Sequence, residues 1–306
     1  VSTSTGPRTA PRVLLDAAAL SGCRRRVHLD HDPSAAERPR ALPDPAIEQR
    51  RADAAAHRVR IGELLARTWG ADWASTWPDG MAGPTGTGVG PRAARAERTA
   101  ELVAAGAPLV WGAVLPVDGD RRGTAELLVR TPAGGYVPLL VVRRRITDPG
   151  EGARTTAVTD PWPQRARHDP DRKVRSQPRD LLALAQLTRL LEAAGWAPPE
   201  SAPRLGGVIG LDADVVVWHD LRAGHWPGGR STLEEYDARF TDRAAVARAA
   251  ATGGPALAAP SRITECRRCP WWPTCEAELE QVDDVSLVAH GETARLLRES
   301  GVATVA

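Results

Sequence analysis

Cys266-Arg-Arg-Cys269-Pro-Trp-Trp-Pro-Thr-Cys275 is the stretch that most restricts what this 306-residue chain can fold into. It holds three of the four cysteines, in a C-x2-C-x5-C spacing, and the fourth, Cys23, lies more than two hundred residues upstream. If one centre takes all four thiols, the two ends of the chain meet there. Everything between them then folds as a body closed by that staple.

The N-terminal Val-Ser-Thr-Ser-Thr-Gly-Pro-Arg lacks the apolar core of an export signal, so the expected compartment is cytoplasmic and reducing, where stable disulfides are uncommon. Two residues between Cys266 and Cys269 let both sulfurs reach one metal centre in a tight turn. Zinc usually takes two short Cys/His pairs, whereas this chain has a triplet and a remote singlet. A triplet followed by Pro270 is closer to the loops that hold a [4Fe–4S] cube. The cluster is the leading expectation, zinc the alternative, and unliganded thiols the third reading. Cys23 lies between Ser21-Gly22 and Arg24-Arg25-Arg26, a polar setting for a thiol serving only as a small core residue.

Apolar residues make up 42% of the chain, enough for a proper core. No run approaches the roughly eighteen apolar residues of a membrane span. A net charge of +2 gives no global basic signature, but arginines cluster at 24–26, 143–145 and 165–179. Lys173 is the one lysine. Arginine forks suit phosphate, although arginine richness alongside many Ala, Gly and Pro residues also fits a GC-rich genome. Arg24, Arg25, Arg143, Arg144 and Arg145 are the candidate DNA contacts.

In chain order, residues 1–11 read as a loose tail. A short helix then ends near Gly22, and 31–46 reads as a proline-rich loop. An apolar stripe through Ile47, Ala54, Val59, Ile61 and Leu65 predicts a helix over 47–68 carrying His57. Residues 70–90, with Trp69, Trp73 and Trp77 nearby, read as a loop or lid, and 91–106 as a helix closed by Gly106. Three strands follow, at Leu109–Val117, Thr124–Arg130 and Tyr136–Ile146. The unbroken apolar run from Val137 to Val142 predicts burial on both faces. Residues 147–178 read as a polar, mobile connection. After it come a helix from Arg179 to Gly195, strands at Leu205–Leu211 and Val215–His219, a helix from Tyr236 to Ala251, the cysteine loop, and a last helix from Glu292 to Ser300. This order predicts an α/β fold with a central mixed sheet flanked by helices. No G-x-x-x-x-G-K-[ST] loop is present, which removes P-loop nucleotide hydrolysis.

An N-terminal cysteine, a helix with His57, a three-stranded meander, a helix with Gln186 and a C-terminal C-x2-C-x5-C together resemble RecB-family nucleases. The likeness is to the iron–sulfur branch that includes AddB and the CRISPR-associated adaptation nucleases, and it covers roughly residues 12–285. It implies a restriction-endonuclease-like PD-(D/E)xK core, with DNA ends or single strands as substrate and Mg²⁺ or Mn²⁺ at the cleavage site. By the same resemblance His57, Glu126 in Gly123-Thr-Ala-Glu126, and Gln186 take the catalytic positions, and Cys23, Cys266, Cys269 and Cys275 hold the cluster. A domain over 1–285 and the start of a further helical segment over 286–306, faintly like half a helix-hairpin-helix, follow from it.

The match fails where Glu-x-Lys belongs. The strand Pro138-Leu-Leu140-Val-Val142-Arg143 offers apolar residues and one cation, and Leu190 takes the place of the family's tyrosine. Two carboxylates are the usual minimum for a catalytic hard cation. The expected function is therefore a DNA-binding protein of repair or recombination type with a decayed nuclease site. Its partners would be DNA and a helicase, another repair protein, or a further domain of the same polypeptide. The alternatives are an active exonuclease that recruits an acid such as Asp118 or Asp120, and a zinc-stapled interaction scaffold. Bland readings stand beside these: His57 as a surface or capping residue, Glu126 as a solvated sheet edge, and Trp271 and Trp272 as packing around the centre.

Overall fold

The computed structural model describes residues 12–77 and 92–305. In chain order the helices and strands are α1 (Ala17–Ser21), α2 (Arg24–His31), α3 (Pro45–Trp69), β1 (Trp73–Ser75), α4 (Arg92–Ala104), β2 (Leu109–Val114), β3 (Thr124–Arg130), β4 (Tyr136–Val141), β5 (Thr147–Pro149), β6 (Ala153–Ala157), β7 (Arg167–Asp169), β8 (Arg172–Val174), α5 (Pro178–Ala193), β9 (Leu205–Ile209), β10 (Val215–Asp220), α6 (Thr232–Ala251), α7 (Trp272–Gln281) and α8 (Glu292–Glu299). The expected tail at 1–11 and the Gly/Pro-rich stretch after Trp77 lie outside the described residues. Among those described, no helix is long and apolar enough to cross a membrane.

Two compact units emerge. The larger comprises Leu14–Ser21 and Gln49–Ala238. It is an α/β body around an eight-stranded mixed sheet of order β1-β2-β3-β4-β9-β10-β6-β7. The β1–β2 and β4–β9 pairs are parallel and the other pairs antiparallel. The run beginning at Val137 behaves as its composition predicts. β4 is buried along its whole length, between β3 and β9.

Alternation sorts the side chains to two faces. Leu127, Val129, Val137, Leu139 and Val141 join Ile61 and Leu65 of α3 in one apolar cluster. On β9, Gly206 and Gly207 point to opposite faces. A Cβ on Gly206 would lie 2.9 Å from Leu184 of α5, and one on Gly207 would lie 2.8 Å from Leu139. Two small residues in succession thus let α5 close on one face while the α3 cluster closes on the other.

Three expectations need correction. Residues 147–178 are not a mobile connection: β5 and β8 form a two-stranded ribbon, and β6 and β7 extend the main sheet to its edge. These strands have three to five residues and a mostly polar sequence, so they lack the apolar alternation that announces a strand. Lys173 sits in that ribbon opposite Asp148. The proline-rich 31–46 stretch holds a 3-10 turn at Pro33–Glu37, and α3 already begins at Pro45, a residue suited to a first helical turn. Trp73–Ser75, read as loop, is a sheet strand.

The smaller unit comprises Gly22–Glu48 and the chain from Arg239 onward. Here α2 and α7, both missed from sequence, bracket the cysteines. After α8 the backbone returns to residues 283–285: Val285 N–H donates to the Ala303 carbonyl and Val305 N–H to that of Asp283.

Candidate functional sites

The first candidate is built from both sequence ends of the smaller unit. Cys23 is the N-cap of α2, Cys266 lies in a 3-10 turn, Cys269 ends that turn, and Cys275 is in the first turns of α7. All four thiols are unbonded to one another and line one small, largely enclosed cavity with Arg25, Arg26 and Glu265. The backbone explains the convergence. The Cys23 N–H donates to Glu265 Oε2 at 2.9 Å, which fastens the start of α2 to the cysteine turn. Arg25 forks onto Glu278 of α7, and Arg38 reaches the same carboxylate. Trp271 is fully buried. Its Nε1 donates to Asp30 at 2.7 Å, and Arg40 stacks on its ring at 3.7 Å. Trp271 therefore packs the wall, as the bland reading held.

Ile263 N–H points at Cys266 Sγ, 3.4 Å away. Burial pushes the Cys266 and Cys269 thiols up and that of Cys275 to about 12. A metal bound by these three thiols would have to displace their protons. Among the described residues, no three His, Cys, Asp or Glu side chains are gathered about one point as a single ion requires. The cavity lining offers four thiols and the Glu265 carboxylate, and thiolates suit a soft centre.

The second candidate lies in the larger unit. A cavity of about 270 Å³ opens among Arg58 of α3, Trp77, Arg95 of α4, Trp111 and Gly112 of β2, and Thr124 and Glu126 of β3. Its floor is a break in the β2–β3 ladder. Trp111 pairs with Leu127 and Ala113 with Ala125, while Gly112 between them has φ +70°. The turned-out Gly112 carbonyl accepts from Thr76 Oγ1 at 2.6 Å and from Arg95 Nη2 at 2.5 Å. Arg95 lies flat over the Trp77 ring at 3.6 Å. Only 9% exposed, it makes no ion pair among the described residues, and burial with neighbouring Arg92 pushes its guanidinium below its ordinary value.

Glu126 stands across from Gly112. Its side chain is 21% exposed, its Oε1 accepts from Arg58 Nε at 3.0 Å, and its Oε2 is buried with no hydrogen-bond partner among the described residues. Burial pushes this carboxyl up, and Arg58 offsets part of the rise.

No family model matches this chain, and no curated protein does.

The proposed catalytic trio does not assemble at this cavity. Arg58 lines it, but His57 leaves α3 on another side, buried, with Nε2 3.1 Å from the Gly210 carbonyl. A carbonyl only accepts, so Nε2 carries the proton. Burial, with Arg60, Arg143 and Arg58 adding to it, pushes His57 below its ordinary value and keeps it neutral, against a smaller opposing pull from Gly210. Gln186 is buried in a structural knot: its amide donates to the carbonyls of Leu15 and Arg122, and Tyr236 Oη donates to its Oε1.

Four of the five candidate DNA arginines have carboxylate partners: Arg24 with Asp242, Arg25 with Glu278, Arg143 with Asp53, and Arg144 with Asp180. Arg145 is exposed. Asp118, a candidate extra acid, pairs with Arg121. Sequence reading missed Arg58, Arg95 and Gly112. The last had a usable signal, a lone glycine inside an apolar strand, which marks a bulge or a close backbone approach.

Proposed function

We propose that the chain is a DNA-binding protein of the RecB-nuclease type, in which Cys23, Cys266, Cys269 and Cys275 hold a [4Fe–4S] cluster and the cleavage site has decayed. The observation that carries this reading is the meeting of thiols from both sequence ends at one cavity. Two thiols pair readily by local spacing alone, but bringing Cys23 to the C-terminal triplet takes a fold organised around that meeting. The triplet-plus-singlet spacing of the thiols favours a polynuclear centre over a lone zinc ion. When bound, the cluster supplies cross-linking, as a staple between α2 and the turn before α7. Arg25 and Arg26 line the cavity and set positive charge beside the anionic centre.

The order of the sheet also supports the reading. The antiparallel meander β2-β3-β4, and α5 carrying Gln186 beyond the intervening short strands β5–β8, agree with the order on which the resemblance rests. Decay is supported by the Glu126 cavity, whose described lining has one carboxylate and two guanidinium groups. That set attracts an anion better than a hard dication.

The test is fluorescence anisotropy of labelled single-stranded and blunt double-stranded DNA on anaerobically purified, cluster-loaded protein, in rising salt and with Mn²⁺. The expected result is binding that weakens steeply with salt, with no cleavage. Salt-independent binding, or none, overturns the DNA reading. Metal-dependent cleavage abolished by Glu126→Gln overturns the decayed site.

A further inference from the structure

The cavity above Gly112 combines features that recognise one particular chemistry. Arg95 is a cation nine-tenths buried; among the described residues its acceptors are the neutral Gly112 O and Thr76 Oγ1, with the Trp77 ring beside it. A desolvated guanidinium without a counter-ion is costly, and an anion in the adjoining space removes the cost. Arg92, whose charge is felt at Arg95, donates to Thr124 Oγ1 and to the Gly123 carbonyl at the same strand end. Against these cations and Arg58 stands, among the described residues, one carboxylate, Glu126, with Oε1 occupied by Arg58 and Oε2 buried with no hydrogen-bond partner among them. Trp77 and Trp111 supply flat apolar wall. A ligand that satisfies all of this is planar, carries an N–H edge and bears a negative group. The space of about 270 Å³ lies just under the range of ordinary small-molecule sites.

We propose that this cavity binds a single nucleotide unit, with the base against the Trp77–Trp111 wall, its amino edge donating to Glu126 Oε2, and its phosphate on Arg95. Guanine, adenine and cytosine offer an amino group there. Thymine offers only N3–H, flanked by two carbonyl oxygens that face the carboxylate unfavourably. The site therefore prefers the amino-bearing bases. The nucleotide can come free or as the terminal residue of a strand, and the choice of the strand end rests on the DNA-binding reading above.

The experiment is tryptophan-fluorescence titration of the cluster-loaded protein with the four deoxynucleoside 5′-monophosphates, the corresponding nucleosides, inorganic phosphate, and single-stranded oligonucleotides with or without a terminal phosphate. The expected result is monophosphate binding at least about tenfold tighter than nucleoside or phosphate alone, the increment of one charge-assisted contact, with thymidine monophosphate weakest. Arg95→Met abolishes the advantage of the phosphate. Glu126→Gln, which keeps shape and fold, narrows the spread among bases and keeps the phosphate requirement. If oligonucleotides win over mononucleotides and a terminal phosphate strengthens them, the strand end is the source; equal binding assigns the site to free nucleotides. No response to any monophosphate, or affinities unmoved in both variants, overturns the proposal. Salt-dependent DNA binding that persists in that case leaves the DNA reading standing without it.

Discussion

Gly112 faces Glu126 across the β2–β3 ladder, and the gap in pairing between them is the floor of the larger unit's cavity. With φ at +70°, Gly112 occupies a conformation that L side chains rarely adopt, and a Cβ there would meet Trp77 Nε1 at 2.5 Å. Gly112→Ala is expected to destabilise the protein by about 1–3 kcal/mol and to displace Trp77. A urea melt checks the first effect, and the Trp emission maximum checks the second.

Gln186 gives the sharpest separation of structural from catalytic roles. Gln186→Leu leaves the Arg122 carbonyl without its donor, takes one of two donors from the Leu15 carbonyl, which keeps the Arg122 N–H, and removes the acceptor of the Tyr236 hydroxyl. The expected loss is on the order of 2–4 kcal/mol. Nucleotide or DNA affinity of the folded fraction is expected to stay unchanged. A large affinity loss with normal stability would return Gln186 to the functional site.

Acid sensitivity follows from half-buried His219 and from the buried His28 and His57. Burial first, then His225 and Arg144, lower His219 to about 4, and His57 moves the same way. A histidine whose folded pKa lies below its unfolded value of about 6.5 favours the fold above that pH. This contribution is lost as pH falls from about 6.5 toward 4. His219→Asn is therefore expected to reduce the stability difference between pH 7 and pH 5 by on the order of 1 kcal/mol, measured by paired urea melts.

The fold was legible where packing writes a period into the chain. β3 alternates around Glu126 as its sequence predicts, β4 is apolar throughout and buried throughout, and α5 shows its stripe. The ribbon of β5 and β8 and the edge strands β6 and β7 were not legible, because short polar strands are held by ladder hydrogen bonds that leave no apolar signature. α2 was hidden by its three leading arginines, of which Arg25 is buried only because Glu278, some 250 residues later, receives it. The convergence of Cys23 with the C-terminal triplet was readable from cysteine count and spacing. The Arg95–Trp77–Glu126 cavity was not, since no local motif links a helix arginine to a strand glutamate.

Trp271 lines the cysteine cavity and is fully buried. Trp271→Leu removes the Asp30 hydrogen bond and the Arg40 stack. Since the apolar shell controls solvent access to a metal centre, the proposed cluster is expected to lose its visible absorbance in air several-fold faster in the variant than in the parent protein. Equal bleaching rates would place the shield elsewhere.

The proposed iron–sulfur cluster rests on Cys23 joining Cys266, Cys269 and Cys275 as a ligand. Iron and acid-labile sulfide, quantified on anaerobically purified protein and on Cys23→Ser, test it most directly. The account predicts close to four of each per chain in the parent and a marked loss in the variant. Stoichiometric zinc without sulfide, or a full iron complement retained without the Cys23 thiol, would contradict it.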